Sequence, residues 1–323
     1  MALMLKENDL RPLFENPASM DGLLDVVTDA LRSHQRAQAT IHADLRIPVA
    51  EGKRTLRFVA ATVPGCGLGV RAFPLYSGAR DAVFILLFDD QSGHLLALVA
   101  GQDLNVWRTG APAGVACRYL ARPGAAQVGL LGSGRQARGQ ILAIRRALPS
   151  LQKVRVYSPT EEHRSGFARR MEEWLQIEVE PVRSARAAVE GADIVDVATS
   201  CRSPVLEAPW VSPGALIITI ASGQIPPEVV KTSRVFASWK KEMLEGKPPR
   251  EPYNSMIDAG EWSADKIAGE LGEVILGRVA ARERDGEVVL FEMPGMPLWD
   301  TAAVAWAYRW AVQNNAGTEF TLG

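Results

Sequence analysis

The sequence predicts an α/β protein of two domains, in which an α+β domain is combined with a domain built on a parallel β-sheet. A length of 323 residues suits two domains better than one. Short apolar runs broken by turn residues occupy the first third of the chain. From about Ala113 onward, apolar runs alternate with amphipathic segments, which is typical of a parallel sheet covered by helices on both faces.

The first third is predicted to contain one long helix followed by a mostly antiparallel sheet. Residues 21–39 carry apolar side chains at helical spacing, among them Leu23, Leu24, Val27 and Leu31. The apolar runs that follow are expected to be β-strands at residues 55–62, 68–73, 82–88 and 94–100. The last two runs are joined by a Gly-containing turn at residues 89–93, which predicts a β-hairpin.

The rest of the chain is predicted to alternate strands and helices. Strands are expected at residues 126–131, 153–157, 194–198, 215–220 and 234–237, and helices at 136–148, 161–175 and from about Ala113. Residues 239–262 are rich in charge, Pro and Gly, and are predicted to form a long irregular connection that borders a cleft. A final helix is predicted from Asp300, with Trp306 and Trp310 four residues apart on one face.

Composition and charge exclude several classes of partner. A formal net charge of −1 gives no electrostatic reason to expect nucleic acid. No run approaches the roughly 18 apolar residues of a membrane span, and the apolar stretch at the N-terminus is too short for a signal peptide, so a cytoplasmic location is expected. Cys66, Cys117 and Cys201 are widely spaced, which predicts neither a disulfide framework nor a metal site.

A glycine-rich loop carries the clearest functional signal. The segment from Gly132 to Ala137 has the pattern G-x-G-x-x-A and lies between an apolar strand and a helical segment. In that context the pattern is typical of a Rossmann dinucleotide-binding domain. Gly132 permits the tight turn, Gly134 lets the backbone approach the pyrophosphate, and Ala137 keeps the helix close to the strand. The other predicted cofactor-binding residues of the loop are Ser133, Arg135 and Gln136.

The end of the second strand of this domain predicts the choice of cofactor. An Asp or Glu is expected there in an enzyme that binds the ribose 2′-hydroxyl of NAD. Here the strand is followed by Ser158 and Thr160, with His163 and Arg164 close by, and the next acids belong to the predicted helix. Hydroxyl and cationic groups suit a 2′-phosphate better than a carboxylate does. NADP is therefore the predicted cofactor, with NAD as the alternative.

Several motifs together resemble the ornithine cyclodeaminase and mu-crystallin family over nearly the whole chain. They are Arg108-Thr109, Tyr119-Leu-Ala-Arg-Pro, Gly129-Leu-Leu-Gly-Ser-Gly-Arg-Gln-Ala137, Ala192-Asp-Ile-Val-Asp-Val-Ala-Thr199, Glu270-Leu-Gly-Glu-Val-Ile-Leu-Gly277, Leu290-Phe-Glu-Met-Pro-Gly295 and Asp300. The resemblance implies a homodimer. It also implies a Rossmann domain at residues 113–299 and a substrate-binding and dimerisation domain formed by residues 1–112 and 300–323.

The resemblance also implies a substrate site for a small imino or amino acid. The substrate carboxylate in this family is held by cations, and the matching residues here are Arg46, Arg71 and Arg108, with Asp300 beside them. Guanidinium groups suit this role because they offer paired hydrogen bonds to a planar carboxylate. On the same resemblance, further cofactor contacts are expected from Thr109, Thr199 and Ser222.

Two departures from the family pattern bear on the chemistry. Arg71 stands where the family has Lys, and a guanidinium cannot act as a working acid or base. No Asp follows the strand at 215–220, where cyclodeaminases carry a catalytic one, so ornithine cyclisation is not expected. Arg71 and Arg108 are the predicted catalytic positions, and Tyr76, His42 or a bound water is the candidate proton source.

The leading hypothesis is an NAD(P)H-dependent imine reductase or amino-acid dehydrogenase, since hydride transfer to a protonated imine needs positioning more than a protein acid. One alternative is a cyclodeaminase-like lyase that uses the cofactor catalytically. The other is a non-catalytic NADP-binding protein of the crystallin type. Apolar side chains that could contact the substrate are Phe73, Leu75, Tyr76, Met293 and Trp299.

Overall fold

The computed structural model describes residues 1–49, 54–74, 83–246 and 248–321, without the side chains of residues 43 and 54. The chain divides into two compact units. Unit 1 combines Met1–Ala111 with Pro297–Gly323, and unit 2 is Pro112–Met296. Among the described residues, no helix combines the length and apolar character that crossing a membrane requires.

Unit 1 is built on a mostly antiparallel sheet, as the sequence predicts. Its described strands follow the order β15-β1-β6-β5-β4-β3-β2, with β1 and β6 parallel. The strands are β1 (Ala2–Leu5), β2 (Thr40–Val49), β3 (Arg54–Val63), β4 (Gly67–Pro74), β5 (Phe84–Phe88), β6 (Leu95–Ala100) and β15 (Thr318–Phe320). The helices are α1 (Glu7–Glu15), α2 (Ser19–Gln35), the first part of α3 (Gln102–Leu120) and α11 (Pro297–Gln313).

Helix α11 packs closely on one face of this sheet. The Thr301 hydroxyl donates a 2.9 Å hydrogen bond to the carbonyl of Ala61 on β3. A Cβ added to Gly69 on β4 would lie 2.5 Å from the Thr301 Oγ1, so glycine allows the helix to approach. At the other side of α11, the Trp306 ring stacks on Trp107 at 5.8 Å between centroids. Alternate residues of the strands on this face are therefore buried under α11.

Unit 2 confirms the predicted parallel sheet covered by helices. Its described strands are all parallel in the order β13-β12-β14-β11-β10-β7-β8-β9. The strands are β7 (Gln127–Leu131), β8 (Lys153–Tyr157), β9 (Glu178–Pro181), β10 (Ile194–Val197), β11 (Leu216–Thr219), β12 (Arg234–Ala237), β13 (Ile267–Glu270) and β14 (Val289–Glu292). The helices are α4 (Arg135–Ala147), α5 (Glu161–Leu175), α6 (Ala185–Val189), α7 (Pro227–Thr232), α8 (Lys240–Glu245), α9 (Tyr253–Asp258) and α10 (Leu271–Ile275).

Two predictions about local structure were wrong. Helix α3 begins at Gln102 rather than near Ala113, because the Glu7 carboxylate accepts hydrogen bonds from the backbone N–H groups of Gln102 and Asp103 at 2.7 and 3.2 Å. A cap supplied from 95 residues away leaves no local signal in the sequence. Residues 239–262 are not an irregular connection, since they contain α8 and α9. The buried ring of Tyr253 packs against Trp262 at 5.1 Å and fixes the start of α9.

Candidate functional site

Unit 2 contains a cavity of about 420 Å³ at the carboxyl ends of its central strands. In parallel sheets this edge is where ligands bind. The cavity is lined by loops that follow β7, β8, β10 and β11. Eight of the predicted cofactor-binding residues are part of the lining: Gly132, Ser133, Gly134, Arg135, Gln136, Ser158, Thr160 and Thr199. The structure therefore brings most of these residues into one place.

The glycine loop has the geometry of an anion cradle. Gly132 has a φ of 123°, and a Cβ there would lie 2.4 Å from the carbonyl oxygen of Ala198, so a side chain is excluded. Gly134 has open space where its Cβ would be, directly before α4 begins at Arg135. Ala137 is fully buried behind the loop. The free N–H groups and positive dipole end of α4 are thus accessible from the cavity, which fits a pyrophosphate.

The loop after β8 is tied to the glycine loop and held from behind. The Ser133 hydroxyl donates a 2.8 Å hydrogen bond to the Ser158 hydroxyl. Arg164 is 8% exposed and donates to the backbone carbonyls of Ser158 and Pro159 at 3.2 and 3.3 Å. Its guanidinium supports the loop and is not part of the cavity lining, whereas His163 is. An Arg164 contact with a 2′-phosphate remains a prediction.

Gln224 links two of the cavity loops, those after β10 and β11, and no sequence motif points to it. The side chain is fully buried. Its amide nitrogen donates to the carbonyls of Thr199 and Cys201 at 2.7 and 2.9 Å, and its amide oxygen accepts from the Thr219 hydroxyl at 3.1 Å. The residue stands in the segment where a catalytic Asp is missing. A neutral amide with both polar atoms engaged cannot transfer a proton to a substrate.

The loop after β11 contacts the segment that precedes α9. The Ser222 hydroxyl accepts a 2.7 Å hydrogen bond from the backbone N–H of Glu251, and the N–H of Gly223 donates to the Glu251 carbonyl at 2.8 Å. Ser222 is not part of the cavity lining among the described residues. Its predicted cofactor contact stays a prediction.

The same edge of the unit 2 sheet carries a buried ion pair. Arg250 Nε donates to Glu292 Oε2 at 2.6 Å, and the Tyr253 hydroxyl donates to Glu292 Oε1 at 2.8 Å. Arg250 Nη2 also donates to the Thr219 carbonyl at 3.3 Å. Burial, and after it the Glu292 charge, raises the pKa of Tyr253 well above its usual value. One cation and one carboxylate balance each other here, and every oxygen of the carboxylate is hydrogen-bonded.

Unit 1 carries a cationic cluster formed by Arg71 on β4, Arg108 on α3 and Asp300 on α11. Arg71 Nη1 and Arg108 Nε each lie 3.2 Å from the same oxygen, Asp300 Oδ1. Asn105 Oδ1 accepts from Arg71 Nη2 at 2.9 Å and from Arg108 Nη2 at 2.5 Å. Two guanidinium groups therefore share one carboxylate, and the cluster has an excess of one positive charge.

The environment of Arg108 disfavours its positive charge. Burial, and after it the neighbouring charge of Arg71, lowers the pKa of Arg108 to about 10, although the charge of Asp300 opposes both. A buried cation with an incomplete set of anions is stabilised by an added carboxylate. The three predicted substrate-binding residues Arg71, Arg108 and Asp300 are thus brought together in a form that can bind an anion.

The other predicted residues of unit 1 are placed as follows. Arg46 lies on β2, opposite Arg57 of β3 in the strand register. The Thr109 hydroxyl donates to the Asn105 carbonyl at 2.7 Å within α3. The exposed His42 contacts the Thr62 hydroxyl at 2.8 Å through Nε2. Leu75 and Tyr76 lie outside the described residues.

Two of the apolar candidates are core residues. Met293 in unit 2 and Trp299 in unit 1 are 2% and 1% exposed, so packing accounts for them. Phe73 is partly exposed and its ring lies 4.1 Å from the Arg71 guanidinium carbon. The described part of the chain contains no group of three or more His, Cys, Asp or Glu side chains that could hold a metal ion.

Comparison with known proteins finds relatives along nearly the whole chain. A Δ1-pyrroline-2-carboxylate reductase of Bacillus cereus is 26% identical over 330 residues, covering 98% of this chain and 99% of the relative. The structure of Thermococcus litoralis Δ1-pyrroline-2-carboxylate reductase, in complex with NADH and L-proline, is 29% identical with a TM-score of 0.88, covering 98% of this chain and 100% of that one. The structure of an archaeal alanine dehydrogenase dimer with bound NAD is 26% identical, also with a TM-score of 0.88, covering 100% and 99%.

The family assignment follows from the extent of the match. The profile of the ornithine cyclodeaminase/mu-crystallin family matches residues 14–315, a range that includes the glycine loop of unit 2 and the cationic cluster of unit 1. Both the predicted resemblance and the predicted fold class are confirmed. The chain belongs to the ornithine cyclodeaminase/mu-crystallin family.

Proposed function

We propose that this protein is an NAD(P)H-dependent oxidoreductase that acts on the C–N bond of a small 2-imino or 2-amino acid. The observation that carries the proposal is the cationic cluster, in which Arg71 and Arg108 share the single carboxylate of Asp300. A substrate carboxylate supplies the missing negative charge. The relatives that are named as imine reductases and amino-acid dehydrogenases support this reaction class.

The residues of the chain bind and orient the reactants. Reduced nicotinamide supplies the hydride, and the cavity at the glycine loop has the cradle that its pyrophosphate needs. Arg71 and Arg108 hold the substrate carboxylate and fix the direction in which its imine carbon points. Neither guanidinium transfers a proton, so the substrate enters as an iminium ion that is already protonated in solution.

We propose NADP as the preferred cofactor. The loop after β8 contributes the hydroxyl residues Ser158 and Thr160, and the imidazole of His163, to the cavity lining, and the described lining residues include no acid. A 2′-phosphate is not repelled there, and a 2′-hydroxyl lacks the carboxylate that usually binds it. Supporting evidence would be a lower KM for NADPH than for NADH.

We further propose that the protein is a homodimer that pairs through the open face of the unit 1 sheet. The face opposite α11 presents apolar side chains that remain partly or largely exposed, including Leu45, Ile47 and Phe84 at 54, 38 and 40% exposure. Exposed apolar side chains that share one face of a sheet are consistent with an interface. The dimeric alanine dehydrogenase relative supports the same state.

The engagement of Gln224 favours a reductase over a cyclodeaminase-like lyase, because both polar atoms of this amide are hydrogen-bonded and it cannot accept the substrate's side-chain proton. The test is oxidation of NADPH and of NADH, followed by absorbance, with a panel of imino acids. The panel contains Δ1-pyrroline-2-carboxylate and the imines formed in solution from ammonium with pyruvate or oxaloacetate. Stoichiometric nucleotide oxidation with any of them supports the proposal. Nucleotide binding with no oxidation across the panel would contradict it and leave a binding protein.

A further inference from the structure

Asn105 on α3 contacts both guanidinium groups of the cationic cluster in unit 1. Its side-chain oxygen, Oδ1, accepts hydrogen bonds from Arg71 Nη2 at 2.9 Å and from Arg108 Nε and Nη2 at 3.1 and 2.5 Å. A guanidinium can only donate, so the amide oxygen, and not the amide nitrogen, must face both cations. One neutral side chain therefore accepts from N–H groups of two different arginines.

The fold supplies a second acceptor that is arranged in the same way. Asn105 and Arg108 are three residues apart in α3 and so share one side of that helix. Arg71 on β4 and Asp300 on α11 face each other, and each side chain is only 6% exposed. Asp300 Oδ1 lies 3.2 Å from Arg71 Nη1 and from Arg108 Nε. Asn105 and Asp300 thus each offer one oxygen to both arginines, and they differ in charge.

The charge of the acceptor decides what the two arginines can still bind. Burial, the charge of Arg71 and, by a smaller contribution, that of Arg57 lower the pKa of Arg108, whereas the charge of Asp300 opposes them. A second carboxylate at position 105 would stabilise both guanidinium groups before a substrate arrives, and it would repel the substrate carboxylate. An amide orients the same N–H groups and leaves their charge in place. This comparison changes one charge at one position, so it holds whatever other charged groups surround the cluster.

We propose that Asn105 is a positioning residue for the substrate carboxylate. Its amide oxygen fixes the Arg71 and Arg108 guanidinium groups side by side, and because the amide is neutral, their charge stays available to the substrate. The inference rests on the proposed function, and it assigns to Asn105 a part in binding rather than in hydride or proton transfer. A change of charge at this position is therefore expected to alter KM far more than kcat.

The variant that tests this is Asn105→Asp, which keeps the shape of the side chain and adds one negative charge. It should raise KM for the imino acid of the panel that turns over by about 30-fold or more, which corresponds to about 2 kcal/mol. Its kcat should stay within about threefold of the wild type. The Tm without ligands should be equal or higher, since both arginines gain a counter-charge. Gln91→Glu, which adds the same charge in the exposed turn between β5 and β6, should leave KM unchanged.

The double variant Asn105→Asp/Asp300→Asn is the matched rescue, because it exchanges the carboxylate and the amide and restores the charge of the cluster. Each position presents an oxygen to both arginines, so the KM of the double variant should fall by about tenfold or more from that of Asn105→Asp. The inference is overturned by an Asn105→Asp variant with the KM of the wild type, by a loss of Tm that accompanies the rise in KM, or by a double variant without recovery.

A readout without turnover separates this inference from the proposed function. Propionate, a carboxylate with no C–N bond, should raise the Tm of the wild type and not that of Asn105→Asp. An equal effect of propionate on both proteins, or no effect on either, overturns the inference. Absence of turnover with the entire panel in the wild type contradicts the proposed function, and the comparison with propionate still decides the role of Asn105.

Discussion

The two units each contain a buried cluster of charged groups, and the clusters differ in their balance. In unit 2, Arg250 is matched by Glu292, whose second oxygen accepts from Tyr253. In unit 1, Asp300 is the one carboxylate among the described residues that Arg71 and Arg108 share. A balanced cluster has no need of a ligand and holds segments together. An unbalanced cluster raises the free energy of the ligand-free protein, and a bound anion removes this electrostatic cost.

The largest effect is expected from breaking the balanced cluster. Glu292→Gln leaves the buried Arg250 without a counter-charge and should lower the free energy of unfolding by about 3–5 kcal/mol. Denaturant unfolding at neutral pH measures this. The double variant Arg250→Met/Glu292→Leu removes both charges and should recover most of the loss. If Glu292→Gln is as stable as the wild type, the Arg250–Glu292 ion pair does not stabilise the segment that precedes α9.

Removing one cation from the unbalanced cluster should lower activity and leave the stability of the protein unchanged or higher. Arg108→Met is expected to lower kcat/KM by about 100-fold or more, near 2.7 kcal/mol of transition-state stabilisation. Its thermal stability should stay the same or increase, since repulsion between Arg71 and Arg108 is removed. Arg118→Met, an exposed arginine on the same helix, is the control and should leave kcat/KM unchanged. Loss of stability without loss of kcat/KM would show that Arg108 is structural.

A buried carboxylate in unit 2 should make the free energy of unfolding depend on pH. Asp196 is fully buried, neither of its oxygens has a hydrogen-bond partner among the described residues, and burial raises its pKa from 3.8 to about 8. The folded protein therefore holds a proton that the unfolded chain releases. The free energy of unfolding should fall as pH rises from about 4 to about 8. Asp196→Asn removes this slope and should be more stable at pH 7 by a few kcal/mol, at most about 4 kcal/mol.

Asp193, three residues earlier, is the matched control for that experiment. Burial raises its pKa, but hydrogen bonds from the backbone N–H groups of Ala126 and Gln127 and from Arg122 outweigh burial, and the net pKa is lowered. Its contribution is present above the unfolded pKa and is lost as pH falls. Asp193→Asn should therefore destabilise the protein at pH 7. Equal effects of the two substitutions would contradict this assignment.

The smallest effect is expected from two buried glutamines of unit 2. Gln224→Met leaves the carbonyls of Thr199 and Cys201 without their donor and should raise the Kd for the nucleotide about tenfold, measured by fluorescence titration. Gln140 is equally buried, but neither of its polar side-chain atoms has a partner among the described residues. Gln140→Met should leave the Kd unchanged. A similar Kd for both variants would show that Gln224 does not position the cavity loops.

The predictable parts of the site are those encoded by local sequence. The turn at Gly132 and Gly134 combines a strand, two glycines and a helix start within a few residues, and the cations Arg71 and Arg108 lie in family motifs. Their contacts with Asp300 could be expected only from the resemblance, because the residues are far apart in the chain.

The features of the structure that the sequence does not predict depend on contacts between segments that are distant in the chain. The pairing of β2 with β3 places Asp44 next to Arg57, and a shift of one residue in that register would turn either side chain to the other face. Gln224 carries no local signal, because its burial and its hydrogen bonds to the loop after β10 exist only in the folded chain. The start of α3 depends on Glu7, which no local pattern connects to Gln102.

The unbalanced cluster of unit 1 is expected to bind the substrate carboxylate. The most direct test is thermal unfolding of the wild type and Arg108→Met, each saturated with NADP⁺, as the amino acid product identified by the turnover panel is added. We predict that the nucleotide raises Tm in both proteins, and that the amino acid raises Tm further only in the wild type. An equal rise with amino acid in Arg108→Met would contradict the account.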